Sequence, residues 1–400
     1  MTAFNDIDGV PATGNPFILK DVLRKEWNFD GLVVSDYTAV LELVMHGLAK
    51  DEPSAAVYGL NAGTDMEMVS RLYNKYGEQL VREKKLSTAV IDEAVRNVLR
   101  VKYRLGLFDD PFADEARERA EVFKRANRDA AKVAAERSFV LLKNDNETLP
   151  INRATKSIAL IGALADAKNE MNGNWSGDGQ PQDPITLLEA LRQKYPRTRV
   201  RFEPGCDPAC ESSAGFESAV KAARESDFTI LVVGEASWMS GEASSRSSID
   251  LPGRQLDLVK AIHAAGKPYA VVLMNGRPLA INWLAENSPA ILETWFAGTE
   301  AGNAIVDTLF GDANPGGKLP VSFPRSVGQI PIYYNHKRTG RPVLSTNKYT
   351  SKYLDIGNSP LYPFGHGLSY SRFALRNLKL DKLRMLPSET LKVSIEVINF

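Results

Sequence analysis

Phe228-Thr229-Ile230-Leu231-Val232-Val233-Gly234 is a run of β-branched and apolar residues that ends at a glycine. Because polar residues do not alternate with the apolar ones, the run predicts a strand buried on both faces, as in parallel sheets. Three similar runs occupy residues 158–161, 269–273 and 290–293. The intervening stretches include helix-like spacings of apolar residues. We therefore predict an open α/β sheet over residues 156–330, with ligand sites at the carboxyl ends of its strands.

An earlier apolar run, Gly31-Leu32-Val33-Val34, leads directly into Ser35-Asp36-Tyr37. The pattern predicts a buried parallel strand with Asp36 at its C-terminal end, where barrel enzymes place catalytic groups. An aspartate in this position can also cap the helix that follows, which is the more common role on spacing alone. The spacing leaves both interpretations open. Ser87 then begins a predicted amphipathic helix that closes near Gly106.

Glu242 lies in a loop of small residues, Ser240-Gly241-Glu242-Ala243-Ser244-Ser245-Arg246, that follows the run at 228–233. A glutamate in a loop that follows a strand is a candidate for acid–base chemistry, but a loop glutamate near an arginine is often a surface ion pair of small energetic weight. Glu235 and Asp250 are alternative carboxylates for any role assigned to this loop. The spacing alone does not connect Asp36 with Glu242.

The remaining stretches of the sequence differ in composition from the apolar runs described above. Residues 110–155 are charged and rich in alanine, which predicts a helical linker. Residues 331–366 are rich in proline and tyrosine and predict an irregular linker. From residue 367 the chain becomes strand-like, and the alternation over 391–397 is typical of an antiparallel strand.

Composition excludes several classes of function. The 400 residues carry a formal net charge of zero, which gives no support for a nucleic-acid partner. No apolar run reaches the roughly 18 residues of a membrane span. No nucleotide-binding glycine motif follows any predicted strand. Cys206 and Cys210 are compatible with a short disulfide loop or with two thiols, and a metal site there would need further ligands.

Motifs along the whole chain resemble those of glycoside hydrolase family 3, and they occur in the family's order. The stretch from Gly31 to Tyr37 resembles the family's nucleophile strand, an apolar run that ends in Ser-Asp-Trp or a close variant. Ser240-Gly241-Glu242 with Arg246 is similar to the family's acid/base loop. The other segments similar to the family lie at 61–68, 293–302, 311–320 and 362–370. The likeness is greatest to the periplasmic β-glucosidases of bacteria.

The resemblance implies a role for each site residue. Asp36 would be the nucleophile and Glu242 the general acid/base of a retaining glycosidase, in which the two carboxyl groups stand about 5–5.5 Å apart. No metal and no cofactor are implied. Met1 and Phe4 match positions that line the sugar pocket, where the family often has tyrosine. The implied substrate-binding residues are Met1, Phe4, Tyr37, Trp175, Trp238 and Arg246. Ordinary packing remains open for the two tryptophans, and solvation or a contact with Glu242 for Arg246.

The resemblance also implies an architecture. Residues 1–109 would be the C-terminal part of a (β/α)8 barrel, 156–330 an α/β sandwich domain carrying the acid/base, and 367–400 the start of a fibronectin-III-like β-sandwich. The active site would lie in the cleft between the barrel and the α/β domain. Only two barrel strands are expected, near 1–5 and 31–35. We therefore expect a fragment with an internal Met1 that is nearly inactive on its own.

The expected function is that of a retaining, exo-acting β-glycosidase. A β-glucosidase that releases glucose from the non-reducing ends of β-glucosides or cello-oligosaccharides fits best. The alternatives are a β-xylosidase of the same family, a catalytically silent sugar-binding fragment and a nucleotide-binding α/β protein. The expected partner is a β-glucoside or oligosaccharide, without nucleic acid or membrane, and a homodimer is compatible with the resemblance. The full-length protein is expected to be periplasmic or secreted.

Overall fold

Buried runs of valine, isoleucine and leucine form the central sheet of the computed structural model, which describes residues 1–400 apart from the side chain of Arg119. The chain divides into two units, Met1–Ala120 and Glu121–Phe400. None of the helices described is both long enough and apolar enough to cross a membrane.

The first unit contains two pairs of short strands: β1 (Asp6–Ile7), β2 (Val10–Pro11), β3 (Val34–Tyr37) and β4 (Met66–Met68). β1 pairs with β2 antiparallel, and β3 pairs with β4 parallel. The predicted strand at 31–35 begins later than expected, at Val34. The reason is that the N–H of Val33 donates to the side chain of Asp65, at 2.9 Å, and not to a neighbouring strand.

Residues 1–5 do not form a regular strand, although the N–H of Thr2 donates to the carbonyl of Val34 at 2.9 Å. The start of the chain thus lies beside β3. β4 follows in the segment 61–68, where the sequence pattern predicted no strand.

Helices make up the rest of the first unit. They are a 3-10 turn (Ala12–Gly14), a π-type helix (Phe17–Glu26), α1 (Ala39–Met45), α2 (Glu52–Ala62), α3 (Leu72–Arg82), α4 (Thr88–Arg104) and, across the boundary of the units, α5 (Glu115–Glu121). Ser87 caps α4, and its Oγ accepts the N–H of Ala89 at 3.2 Å, so the helix predicted from Ser87 is confirmed. Val40, Leu43 and Leu80 belong to the buried apolar cluster that joins these helices.

The second unit is built on one mixed sheet of six strands in the order β5-β10-β9-β8-β6-β7. They are β5 (Val140–Asn144), β6 (Ser157–Ile161), β7 (Arg199–Glu203), β8 (Phe228–Gly234), β9 (Tyr269–Met274) and β10 (Ala290–Glu293). All neighbouring pairs are parallel except β10 and β5, which are antiparallel. The four apolar runs form β6, β8, β9 and β10, which confirms the α/β prediction for this region.

Two strands of the sheet were not predicted. β5 lies inside the stretch 110–155 that was expected to be a helical linker, and it pairs along the edge of the sheet. Its buried residues, Val140 to Leu142, are too few to distinguish a strand from the end of a helix by periodicity. β7 is an edge strand whose charged residues obscure its pattern.

Helices pack on both faces of the sheet. The α-helices are α6 (Arg125–Ser138), α7 (Lys168–Met171), α8 (Leu187–Lys194), α9 (Phe216–Arg224), α10 (Gln255–His263), α11 (Asn282–Asn287) and α12 (Ala301–Leu309). The 3-10 turns are Asp145–Glu147, Ala163–Asp166, Ser237–Met239, Gly298–Glu300 and Val327–Gln329. Ile230 and Val232 join the apolar cluster on one face, and Leu231 and Val233 join the cluster on the other. β8 is therefore buried on both faces, as predicted.

The C-terminal part of this unit is less regular. Residues 331–366 contain no helix or strand among those described, apart from the bridge between Phe323 and Tyr362. β11 (Phe373–Leu380) and β12 (Val393–Asn399) then form an antiparallel pair. The alternation over 391–397 corresponds to β12.

Candidate active site

Asp36 lies near the C-terminal end of β3, where it is half-buried. Its Oδ1 accepts the N–H of Tyr37 at 2.7 Å. The hydroxyl of the preceding Ser35 donates to the carbonyl of Asp36 and accepts the N–H of Met68, both at 2.8 Å, which ties β3 to β4. The helix-capping interpretation is wrong, because the N-cap of α1 is Thr38 and no side-chain cap bond is present.

Asp65 supports the strand that carries Asp36. Its Oδ2 accepts the guanidinium of Arg24 at 2.7 Å and the N–H of Val33 at 2.9 Å, while Oδ1 accepts the amide of Asn97 at 3.0 Å. Burial raises the pKa of the Asp65 carboxyl above its ordinary value, and these hydrogen bonds oppose the rise. No local sequence pattern marks Asp65 for this role, because its partners are far apart in the chain.

The other candidates of the first unit lie around Asp36 in the chain or beside its strand. Tyr37 follows Asp36 directly and is exposed. Met1 and Phe4 lie on either side of Thr2, whose N–H donates to the carbonyl of Val34. Both side chains are exposed. They therefore belong to the segment that runs beside β3.

In the second unit, loops after the sheet strands approach one another closely. A Cβ atom on Gly241 would lie 2.8 Å from the Cβ of Asn174, and Gly241 has a φ of +102°, so glycine is required there. The loop that carries Glu242 thus packs directly against the segment that carries Trp175. The indoles of Trp175 and Trp238 are 74% and 63% exposed, so neither is a core residue.

Glu242 is exposed on its loop, and its carboxylate accepts no hydrogen bond from the part of the chain that the structure describes. Ser244 holds the loop from within, since its hydroxyl contacts the carbonyls of Trp238 at 3.1 Å and Glu242 at 3.2 Å. A carboxyl group in this setting is free to reach a substrate or water.

The two alternative carboxylates are in different situations. Glu235 is fully buried and pairs with Arg246, whose Nη1 lies 2.7 Å from Oε1 of Glu235. Arg246 therefore contacts Glu235 and not Glu242. Asp250 is exposed and accepts the hydroxyl of Ser248 at 2.9 Å. Of the three, Glu242 is the exposed carboxylate with no partner among the residues described.

A second buried glutamate, Glu293 at the end of β10, was not predicted as part of the site. Burial raises the pKa of its carboxyl from 4.5 to about 8. Hydrogen bonds from the N–H of Trp295 at 3.0 Å and the amide of Asn275 at 3.1 Å oppose this rise, and the charge on Glu235 adds to it. A pKa of about 8 favours the protonated form of the Glu293 carboxyl group at pH 7.

The cysteine alternatives are settled by the structure, in which Cys206 and Cys210 form a disulfide. Over the residues described, no group of three or more His, Cys, Asp or Glu side chains is arranged to hold a metal ion.

Comparison with known proteins relates both units to one family. The glycosyl hydrolase family 3 N-terminal domain matches residues 1–101, and the C-terminal domain of that family matches residues 139–370. The periplasmic β-glucosidase of Salmonella typhimurium is 44% identical, over all of this chain and 56% of its own length. A β-xylosidase of Formosa agariphila is 39% identical, again over all of this chain and 56% of its own length.

A solved β-glucosidase structure is also similar to this chain over its whole length. The β-glucosidase of Listeria innocua in complex with glucose has a TM-score of 0.87 at 38% identity, covering all of this chain and 60% of that one. The chain spans slightly more than half the length of the curated relatives that it matches. The two domain matches, taken with these relatives, show that the chain belongs to glycosyl hydrolase family 3.

Proposed function

We propose that this chain carries the catalytic residues of a retaining, exo-acting β-glucosidase, with Asp36 as nucleophile and Glu242 as general acid/base. One observation carries the proposal. Each carboxylate lies inside the stretch that matches one of the two family domains, Asp36 within 1–101 and Glu242 within 139–370.

In the first step, the carboxylate of Asp36 attacks the anomeric carbon while Glu242 donates its proton to the departing glycosidic oxygen. The bond to the leaving group breaks and a glycosyl ester with Asp36 forms. The hydrogen bond from the N–H of Tyr37 supports this role because it restrains the orientation of the Asp36 carboxyl group.

In the second step, Glu242, now a carboxylate, takes a proton from water, and the oxygen of that water attacks the anomeric carbon. The ester to Asp36 breaks and the sugar leaves with its β configuration retained. The exposure of Glu242 supports this role because water can reach it.

The substrate class follows from the relatives. The Salmonella typhimurium protein is named a periplasmic β-glucosidase and the Listeria innocua enzyme was solved with glucose, which supports a terminal β-glucosyl group as substrate. The 39% identity to a β-xylosidase makes xylosides the second candidate. Among the predicted sugar contacts, the exposed indoles of Trp175 and Trp238 fit best for stacking on a sugar. Met1, Phe4 and Tyr37 remain candidates, and Arg246 would act through Glu235.

We also propose a division of the chain into domains. Residues 1–109 would be the C-terminal part of a (β/α)8 barrel, 156–330 the acid/base domain, and 367–400 the beginning of a fibronectin-III-like domain. Periplasmic location is proposed from the name of the Salmonella typhimurium relative.

The nucleophile assignment is tested by trapping. Because the chain spans 56% of its Salmonella typhimurium relative, we expect residues 1–400 alone to turn over substrate slowly. Turnover is therefore measured also on a hybrid, in which the portions of that relative outside the matched region are joined to residues 1–400. A 2-deoxy-2-fluoro-β-glucoside with a good leaving group should inactivate the hybrid and leave one sugar on the peptide that contains Asp36, as seen by mass spectrometry. A label on any other residue would contradict the assignment.

The substrate assignment has its own test. The ratio of kcat/KM for 4-nitrophenyl β-glucoside to that for the matching β-xyloside should exceed one. A ratio below one would favour the β-xylosidase. Absence of turnover of either glycoside by the hybrid would favour a silent sugar-binding protein.

A further inference from the structure

Glu235 is a fully buried carboxylate that lies between two arginines directly after β8. Its Oε1 accepts a hydrogen bond from Arg246 at 2.7 Å, and the Nε of Arg277 lies 3.0 Å from the same oxygen. Its Oε2 accepts the N–H of Gly276 at 3.3 Å. A buried charge must be paired to be tolerated. Glu235 and the two guanidinium groups therefore hold one another in place.

Arg277 also closes the base of the loop that carries Glu242. Its Nη2 donates to the carbonyl of Met239 and, at 2.8 Å, to the carbonyl of Ser244. These carbonyls stand three residues before and two residues after Glu242 in the chain. Because both hydrogen bonds come from the Nη2 of one guanidinium, a single side chain joins both ends of the loop.

The conformation of the loop depends on such restraints. Ala243 has a φ of 55°, in the left-handed region that residues with a Cβ seldom adopt. Conformations of this kind persist only where the surroundings enforce them. Since the Glu242 carboxylate has no hydrogen-bond donor among the residues described, its position follows from the loop backbone, and Arg277 holds that backbone at both ends.

We propose that Arg277, fixed by Glu235, is a positioning residue that sets the conformation of residues 239–244 and thereby the position of the Glu242 carboxyl group. This inference rests on the proposed role of Glu242 as general acid/base. Neither Arg277 nor Glu235 exchanges a proton with the substrate. A displaced acid should slow the substrates that need protonation and spare those that do not.

The test compares two leaving groups in the hybrid. Arg277→Met removes the guanidinium but keeps an unbranched side chain. We expect kcat/KM for phenyl β-glucoside to fall about 10²-fold, and kcat/KM for 2,4-dinitrophenyl β-glucoside to fall less than about threefold, because that phenolate leaves without protonation. Arg277→Lys, which keeps the charge, should lie between wild type and Arg277→Met.

Arg128→Met is the matched control. Arg128 pairs with the buried Glu300 in the same unit and makes no contact with residues 239–244 among its hydrogen bonds and ion pairs. This variant should leave the ratio of the two kcat/KM values unchanged. An equal loss on both substrates in Arg277→Met, or no change in their ratio, would overturn the positioning role.

Glu242→Ala, measured in parallel, distinguishes a failure of the proposed function from a failure of the positioning role of Arg277. If Glu242→Ala lacks the leaving-group dependence, the proposed function fails and the inference fails with it. If Glu242→Ala shows the dependence and Arg277→Met does not, only the positioning role is overturned.

A second measurement uses residues 1–400 themselves and needs no turnover. The amides of residues 239–246 should exchange hydrogen faster in Arg277→Met than in wild type or Arg128→Met, because the loop loses its closure. Equal exchange in all three proteins would overturn the proposal even if the hybrid variant failed to fold.

Discussion

A Cβ atom placed on Gly276 would lie 2.2 Å from the Oγ of Ser240 and 2.8 Å from its Cβ. The turn after β9 therefore contacts the loop that carries Glu242 directly. Position 276 has no room for a side chain larger than a hydrogen atom. Gly276 also donates its N–H to Glu235. Gly276 thus contacts both the loop that carries Glu242 and the carboxylate of Glu235, which pairs with Arg246 and Arg277.

Gly276→Ala should destabilise this contact, because Ser240 must move away from the added methyl group. We expect a loss of about 1–3 kcal/mol in the free energy of unfolding of this unit. Urea unfolding followed by tryptophan fluorescence measures the loss. Gly316→Ala is the control, since the nearest atom to its added Cβ is 3.9 Å away, and a similar loss in both variants would contradict the steric explanation.

Asp36→Asn should abolish turnover by the hybrid while leaving its stability unchanged. The amide cannot form the glycosyl ester, so we expect kcat to fall by roughly 10³-fold or more. Asp51→Asn is the matched control, because Asp51 caps α2 and asparagine is an equally good N-cap. Asp36→Asn with more than a few per cent of the wild-type rate would remove Asp36 from the nucleophile role.

Glu242→Ala should lower kcat/KM for phenyl β-glucoside by about 10²- to 10⁴-fold. The glycosylation step of activated aryl glucosides should keep its rate, because their leaving groups need no protonation. Added azide should restore kcat for the activated substrate, since azide attacks the glycosyl ester without a general base. The product, a β-glucosyl azide, is identified by mass spectrometry. If Asp250→Ala showed this pattern and Glu242→Ala did not, the acid/base would be Asp250.

The stability of the second unit should depend on pH through Glu293. Its pKa is raised from 4.5 to about 8 in the folded protein, so between these values the folded state holds a proton that the unfolded state has released. The contribution is therefore fully present below about pH 4.5 and is lost as pH rises toward 8, with a slope of up to about 1.4 kcal/mol per pH unit. Glu293→Gln should flatten this dependence.

Urea midpoints measured from pH 5 to pH 8 provide the comparison. Glu217→Gln, a change at an exposed glutamate of α9, is the control and should keep the wild-type slope. If Glu293→Gln keeps the same slope as wild type, the carboxyl of Glu293 does not retain its proton in the folded protein.

The sequence by itself determined the sheet of the second unit, and it placed Asp36 at the C-terminal end of a strand and Glu242 in the loop that follows β8. Four runs of apolar residues predicted β6, β8, β9 and β10, because a strand buried on both faces leaves an uninterrupted apolar pattern. Ser87 likewise predicted the start of α4, because capping is a local interaction. The family motifs are local as well, and they carried Asp36 and Glu242.

The tertiary structure decided what depends on partners distant in the chain. β5 was recognisable only through its pairing with β10, since its short apolar run also suits the end of a helix. Only the structure excluded helix capping by Asp36. The carboxylate of Asp36 accepts the N–H of Tyr37, and the N-cap of α1 is Thr38. Glu235, Arg277 and Glu293 acquire their roles from burial and from one another, and the free energy of a buried charge depends on which groups surround it, which no local pattern of residues records.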